Sequence, residues 1–164
     1  MQLKSQVEWA LHCCAVLAGL PAGGHLATKA LAEFHGVPKE YLSKALQALS
    51  QAGLVVGTLG PTGGYRLAFP PESITFLDVV EAVEGTQSTF VCTNIRDNNP
   101  CLTEAPASDC DRKACGVARV MWRADRAWRD SLSQTRLSDL LVTIEQEVDP
   151  EVRARSADWV RARA

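Results

Sequence analysis

Eight residues, Gly57 to Gly64, hold four glycines and Pro61 and lie between two short β-prone runs. Glycine loses the most conformational freedom on ordering and proline lacks a backbone donor, so neither helix nor strand suits this stretch. It reads as a turn. The flanking runs, Leu54-Val55-Val56 and Tyr65-Arg66-Leu67-Ala68-Phe69, then read as the two strands of a hairpin. What precedes this hairpin decides the fold.

Three helical patterns come first. Residues 2–19 carry Leu3, Val7, Ala10, Leu11, Cys14 and Leu17 at helical spacing, and Gly19 and Pro21 end the run. Thr28 suits the cap of a second helix over about 29–34. His35-Gly36-Val37 is a tight turn, and Pro38 suits the first position of a third helix over about 38–52. The apolar face of that helix is Leu42, Ala45, Leu46 and Leu49, and Gly53 closes it. The order helix, helix, helix, hairpin is that of a winged helix, with the second and third helices forming a helix-turn-helix.

The remainder is also helical in pattern. Thr75 is a candidate cap for a helix over 76–84 that stops at Gly85, and residues 86–114 read as irregular. Val117, Val120, Met121, Ala124, Ala127, Trp128 and Leu132 follow helical spacing over about 115–132. That length predicts a dimerisation helix. A further helix is expected at about 136–147, after which Pro150 interrupts and an Arg-rich tail follows. The expected fold is therefore mostly α with a small β-wing. Residues 1–70 would form the DNA-binding domain, 71–114 a linker helix and cysteine-bearing loop, 115–149 the dimerisation helices and 150–164 the tail.

Charge agrees weakly with this division. The formal charge is −2, split as +2 over residues 1–70 and −4 over the rest. No apolar run spans a bilayer and the first residues lack a signal-peptide pattern, so a cytoplasmic protein is expected, with no membrane partner. No nucleophile–base motif, phosphate-binding loop or cofactor fingerprint is present, which argues against an enzyme and a small-molecule substrate.

The six cysteines point to metal or redox chemistry rather than structural disulfides in such a compartment. Cys13 and Cys14 fall in an apolar helical run and read as buried small hydrophobes. Cys92, Cys101, Cys110 and Cys115 lie in a polar stretch unsuited to a core.

The stretch Tyr41-Leu42, Leu46, Leu49, Ala52-Gly53-Leu54-Val55 and Gly60-Pro61-Thr62-Gly63-Gly64-Tyr65-Arg66-Leu67 resembles the iron–sulfur winged-helix repressors of the IscR and NsrR type. Ile74-Thr75, Asp78-Val79-Val80 and Glu81-Ala82-Val83-Glu84-Gly85 continue the likeness, as does a cysteine cluster followed by a helix with an early Trp122. The redox-sensing RsrR branch looks nearest. The resemblance covers about residues 1–145. It implies a homodimer that binds a palindromic double-stranded DNA operator and carries an iron–sulfur cluster.

In a helix-turn-helix the second helix meets the major groove with its N-terminal residues. Lys39, Glu40, Ser43, Lys44 and Gln47 are then the candidate base and phosphate contacts. Thr28 and the start of the second helix suit a phosphate, and Arg66 with the wing suits the backbone or minor groove.

Cys110 and Cys115 are near enough in sequence to chelate one iron, and Cys115 aligns with the last cluster cysteine of the resembled family. The gaps of eight, eight and four residues between the four cysteines differ from the family's common spacing, leaving Cys92 and Cys101 as lesser candidates. Glu8 and His12 are one helical turn apart, a carboxylate and an imidazole on one face. NsrR-type members take an acidic ligand from this helix of the partner subunit, a role that Glu8 fits. The resulting expectation is a 2Fe–2S cluster held by Cys110 and Cys115 of one chain and Glu8 and His12 of the other. An imidazole in place of a thiolate makes such a cluster less negative and raises its potential. Trp9, between the two helix ligands, is a candidate redox-coupled switch, packing beside the cluster or facing the DNA-binding domain. His25 and His35 lie in turns and are not expected to ligate. The alternatives are a nitric-oxide or cluster-supply sensor on the same scaffold, a zinc-stabilised interaction module, or a thiol switch through Cys92 and Cys101.

Overall fold

The computed structural model describes residues 3–58, 60, 63–98, 100 and 115–164. These fall into two compact units, one within Gln87–Ser131 and one made of the described part of Gln2–Thr86 with Leu132–Ala164.

In the larger unit the first helix, α1, runs Ser5–Ala18 and buries Val7, Ala10, Cys13, Cys14 and Leu17. Helix α2 is Thr28–His35 and α3 is Lys39–Gln51. The turn between them works because Gly36 takes a left-handed conformation, φ +64°, which glycine adopts without a Cβ penalty. Leu26, Leu31, Leu42, Leu46 and Leu49 are fully buried where these helices meet. Burying each such side chain contributes about 1.5–3 kcal/mol.

Two helix starts lie one residue from their expected places. Ala27 is the N-cap of α2, because its carbonyl accepts the first helical bond from Leu31 N–H at 3.1 Å. Thr28 is thus the first helical residue, and its side chain caps nothing. Pro38 likewise is the N-cap of α3, its carbonyl accepting from Leu42 N–H at 3.1 Å.

The wing is the antiparallel pair β1, Val55–Gly57, and β2, Tyr65–Leu67, in the register Val55–Leu67, Val56–Arg66 and Gly57–Tyr65. It is clasped to the helix-turn-helix. Tyr65 and Leu26 exchange two backbone hydrogen bonds, 2.8 and 3.0 Å, just before α2 begins. Beside this bridge, a Cβ on Gly64 would stand 2.4 Å from the carbonyl carbon of Leu26. Only glycine fits there.

Helix α4, Phe76–Glu84, starts with the expected Thr75 cap. Thr75 Oγ1 accepts from Asp78 N–H and the Asp78 carboxylate accepts from Thr75 N–H, a reciprocal capping box. At its other end Glu84 serves α1, which has no side-chain cap of its own. Lys4 N–H donates to Glu84 Oε1 at 2.7 Å and Lys4 Nζ lies 3.1 Å from the same carboxylate, which holds the Glu84 carboxyl below its usual range. Helix α5 is Gly116–Gln134 and α6 is Leu137–Glu147. Leu137 N–H donates to Ile74 O at 2.8 Å, and both side chains are buried.

The segment expected as a tail after an interruption is a helix, α7, Pro150–Arg161. Pro150 occupies its first turn, where a missing N–H costs nothing, and Asp149 caps it by accepting from Glu151 and Val152 N–H. Val160 is buried in the core, and the Trp159 ring packs 5.3 Å from that of Phe34 in α2.

Candidate nucleic-acid interface and metal-ligand residues

The polar face of α3 is presented outward. Lys39, Glu40, Lys44 and Gln47 are exposed, opposite the buried Leu42, Ala45, Leu46 and Leu49. Ser43 is half-buried, and its hydroxyl donates to Lys39 O at 2.8 Å, so within this structure it serves its own helix. Arg66 is exposed on β2, and its Nη1 donates to Leu67 O at 3.4 Å. Thr28 is half-buried at the start of α2.

Sequence reasoning missed Tyr41. It is 55% exposed on the first turn of α3, beside Glu40. The Trp9 ring of α1 meets it edge-on, with centroids 6.5 Å apart, and Lys44 Nζ lies 5.9 Å from its centroid. A line of contacts therefore runs from α1 through Tyr41 to a candidate DNA-contacting lysine. An aromatic on the polar side of a recognition helix was the available signal.

Glu8 and His12 flank Trp9 on α1, and both are exposed. Neither makes a hydrogen bond or ion pair among the described residues. They line two adjoining cavities, one of about 410 Å³ with Leu3, Phe76 and Leu140, and one of about 240 Å³ with Trp9, His35 and Val37. His35, at the end of α2, lies with its ring 5.9 Å from that of His12. Its Nε2 is buried with no hydrogen-bond partner among the described residues, and burial, then the His12 charge, hold its pKa below the ordinary histidine value. Twenty-odd residues of sequence separate the two histidines, and no spacing rule joins them.

The cysteine-bearing unit has its own logic. Its first residues are strapped along α5. Asp125 accepts from Thr89 N–H and Oγ1–H at 3.1 and 2.7 Å, Trp122 Nε1–H donates to Phe90 O at 3.3 Å, and Arg129 Nη2–H donates to Gln87 O at 2.7 Å. The Thr89 bonds, with Arg129 beyond, keep the Asp125 carboxyl below its usual range. The strap brings Cys92 near Cys115 at the N-terminus of α5, while the Cys92 thiol itself donates to Asn94 Oδ1 at 3.5 Å. Cys115 Sγ accepts from Ala118 N–H at 3.3 Å. That amide, the Cys92 thiol, Val117 N–H and the Arg96 charge together lower the Cys115 pKa below the ordinary thiol value. Cys92, ranked lower from spacing alone, is thus the thiol that lies against Cys115, while Cys101 and Cys110 lie outside the described residues. Among the described residues no three His, Cys, Asp or Glu converge as a complete metal site. The donor types nonetheless fit a cluster: an exposed carboxylate and imidazole one turn apart, and a thiol whose pKa is lowered.

Cys13 and Cys14 bear out their expected role. Both are fully buried, and burial pushes both thiols up to about 12.

Comparison with known proteins places this geometry. The family model described as "Rrf2: Iron-dependent Transcriptional regulator" matches residues 3–143. YwgB of Bacillus subtilis (strain 168), named among HTH-type transcriptional regulators, is 37% identical over 160 residues, covering 98% of this chain and 95% of its own. The HTH-type transcriptional regulator NsrR of Shouchella clausii (strain KSM-K16) is 29% identical over 142 residues, 87% of this chain and 89% of its own. The solved structure of CymR (YrzC), the global cysteine regulator of B. subtilis, shares the fold with a TM-score of 0.65 at 24% identity, covering 87% of this chain and 98% of that one. No described helix is long and apolar enough to cross a membrane.

Proposed function

The chain belongs to the Rrf2 family of transcriptional regulators, and from that premise we propose that it is a redox-sensing repressor of the RsrR type. In this reading it is a cytoplasmic homodimer on a palindromic operator, with a 2Fe–2S cluster as its sensor. One observation carries the reading. The helix that carries Glu8 and His12, which make no side-chain hydrogen bond or ion pair among the described residues, also carries Trp9 between them, against Tyr41 of α3.

The cluster would be held by Cys110 and Cys115 of one chain and Glu8 and His12 of its partner. When bound it supplies a one-electron acceptor. The rest is the work of the chain's own residues. Lys39, Glu40, Ser43, Lys44 and Gln47 read and grip the major groove, Thr28 holds a phosphate, and Arg66 follows the backbone from the wing. A change of charge beside Glu8 and His12 biases the Trp9 rotamer, and Trp9 in turn moves or releases Tyr41 and the Lys44 ammonium above it. The domain division at residues 70, 114 and 149, with α5 as the dimerisation helix, belongs to the same proposal. Exposed Val117, Val120 and Met121 on α5 support it.

The test is the visible absorption and EPR spectrum of anaerobically purified protein before and after dithionite, with iron and sulfide counted. A reversible one-electron signal with two irons per chain, altered by His12→Ala, is expected. A spectrum and potential untouched by His12→Ala would sink the ligand set. Lys44→Ala is expected to weaken operator binding uniformly and to lower the salt slope by about one.

The contact between Cys92 and Cys115 favours a second reading, a cluster-free thiol switch. Oxidation by a peroxide would join the two sulfurs, each thiol losing one proton and one electron, while the peroxide is reduced to water. Colourless, iron-free protein whose DNA affinity responds to peroxide, and no longer does so in Cys92→Ser, would select it.

A further inference from the structure

An apolar cavity of the larger unit opens on the far side of His12 from Glu8 and shares only His12 with the proposed cluster ligands. It has a volume of about 430 Å³ and lies between α1, α2, α6 and α7, with walls that include Ala15, Val16, Phe34, Ile144, Ala157 and Val160. That volume lies in the range of sites that hold small organic molecules, roughly 300–1,000 Å³. One wall is α7, which begins at Pro150, beyond the residues 3–143 that the family model matches.

The polar lining is His12, His35, Ser156 and Arg153, and the permanent positive charge among them is that of Arg153, on the first turn of α7. Its Nε–H donates to Val148 O at 3.1 Å, and Nη1 reaches only to 4.0 Å from the Glu145 carboxylate, which is itself 75% exposed. The guanidinium makes no other hydrogen bond or ion pair among the described residues. No carboxylate lines the cavity. An apolar chamber with one half-buried, under-used guanidinium at its edge is complementary to an apolar body ending in a carboxylate. A neutral lipid leaves the guanidinium unanswered, and a cation is repelled.

We propose that this cavity is a ligand site for an apolar monocarboxylic acid, with its carboxylate on Arg153 and its hydrocarbon between α1, α2 and α7. The site reaches Phe34 and His35, on the helix that leads into α3, so occupancy bears on the DNA-binding head.

The experiment is calorimetric titration of the full-length protein, as purified, with decanoate, decanol and decylamine, each below its aggregation threshold. Saturable binding of one decanoate per chain is expected, at least ten times tighter than decanol, with decylamine silent. Arg153→Gln should bring decanoate down to the level of decanol and leave decanol unchanged. Ala157→Phe, which fills the chamber from the exposed face of α7, should abolish both, with circular dichroism unchanged. No saturable decanoate binding would overturn the proposal and would fit a chamber already filled by a second copy or a segment of this chain. Equal affinity for decanoate and decanol, or binding that survives Ala157→Phe, would overturn it as well.

Discussion

Cys13 and Cys14 are the same chemical groups as Cys92 and Cys115, and the fold gives the two pairs opposite properties. The first pair sits in the middle of α1, sealed among leucines, with thiols pushed up to about 12. The second pair is half-exposed at the mouth of α5, where amide donors, a neighbouring thiol and Arg96 pull the Cys115 pKa down. The first pair is brought together by one peptide bond and is sealed from solvent. The second is separated by more than twenty residues and is brought together by a strap of hydrogen bonds. Cysteine count and adjacency are therefore poor guides to reactivity. What surrounds the sulfur decides it.

The largest expected effect of this difference is in alkylation. At pH 7.5 a thiol with a pKa near 12 is thiolate only on the order of three parts in 100,000. In metal-free protein, iodoacetamide mapped by mass spectrometry should label Cys115 at least about a hundred times faster than Cys13 or Cys14. Because its folded pKa is lowered, Cys115 should stay reactive well below pH 9.0, its ordinary value. Comparable rates for all three would erase the distinction. Stability should divide the pairs next. Cys14→Ser buries a hydroxyl among apolar neighbours and should cost about 1–3 kcal/mol in urea unfolding. Cys115→Ser should stay within about 0.5 kcal/mol in the same metal-free assay, as surface substitutions do. A smaller effect sharpens the role of the strap. Asp125→Asn keeps one acceptor oxygen for Thr89 and should cost about 1–2 kcal/mol, yet raise the pH midpoint of Cys115 alkylation as Cys92 drifts away. The Asp125 carboxyl is depressed, so its contribution is fully present above pH 3.8, its ordinary value, and is lost as pH falls through the lower folded value. An alkylation midpoint indifferent to Asp125→Asn would mean that Cys92 is held by something else.

Much of this architecture was legible in the sequence because local rules govern it. The Thr75 cap, the end of α3 near Gly53 and the glycine-rich turn each follow from a few neighbouring residues. The one-residue shifts at Thr28 and Pro38 arose because a neighbouring carbonyl, rather than a capping side chain, set the boundary. What could not be read was contact at long range. Nothing in the spacing of Cys92, Asp125 and Cys115 reveals the strap, and nothing places His35 against His12 or Trp9 against Tyr41. The tail was misjudged for a related reason. Its helix is stabilised by Val160 and Trp159 docking on distant elements, a gain invisible in a charged segment behind a proline.

The bridge between Leu26 and Tyr65, beside the Cβ-free face of Gly64, joins the wing to the start of the helix-turn-helix as one body held by backbone bonds. Such a body behaves as a calliper with a fixed gap. On the proposed reading, in which α3 meets bases and the wing meets the DNA backbone, side-chain substitution changes what each jaw touches, but the backbone clasp sets the distance between them. Operators of this regulator should consequently tolerate changes of base far better than insertion of one base pair between those two contacts.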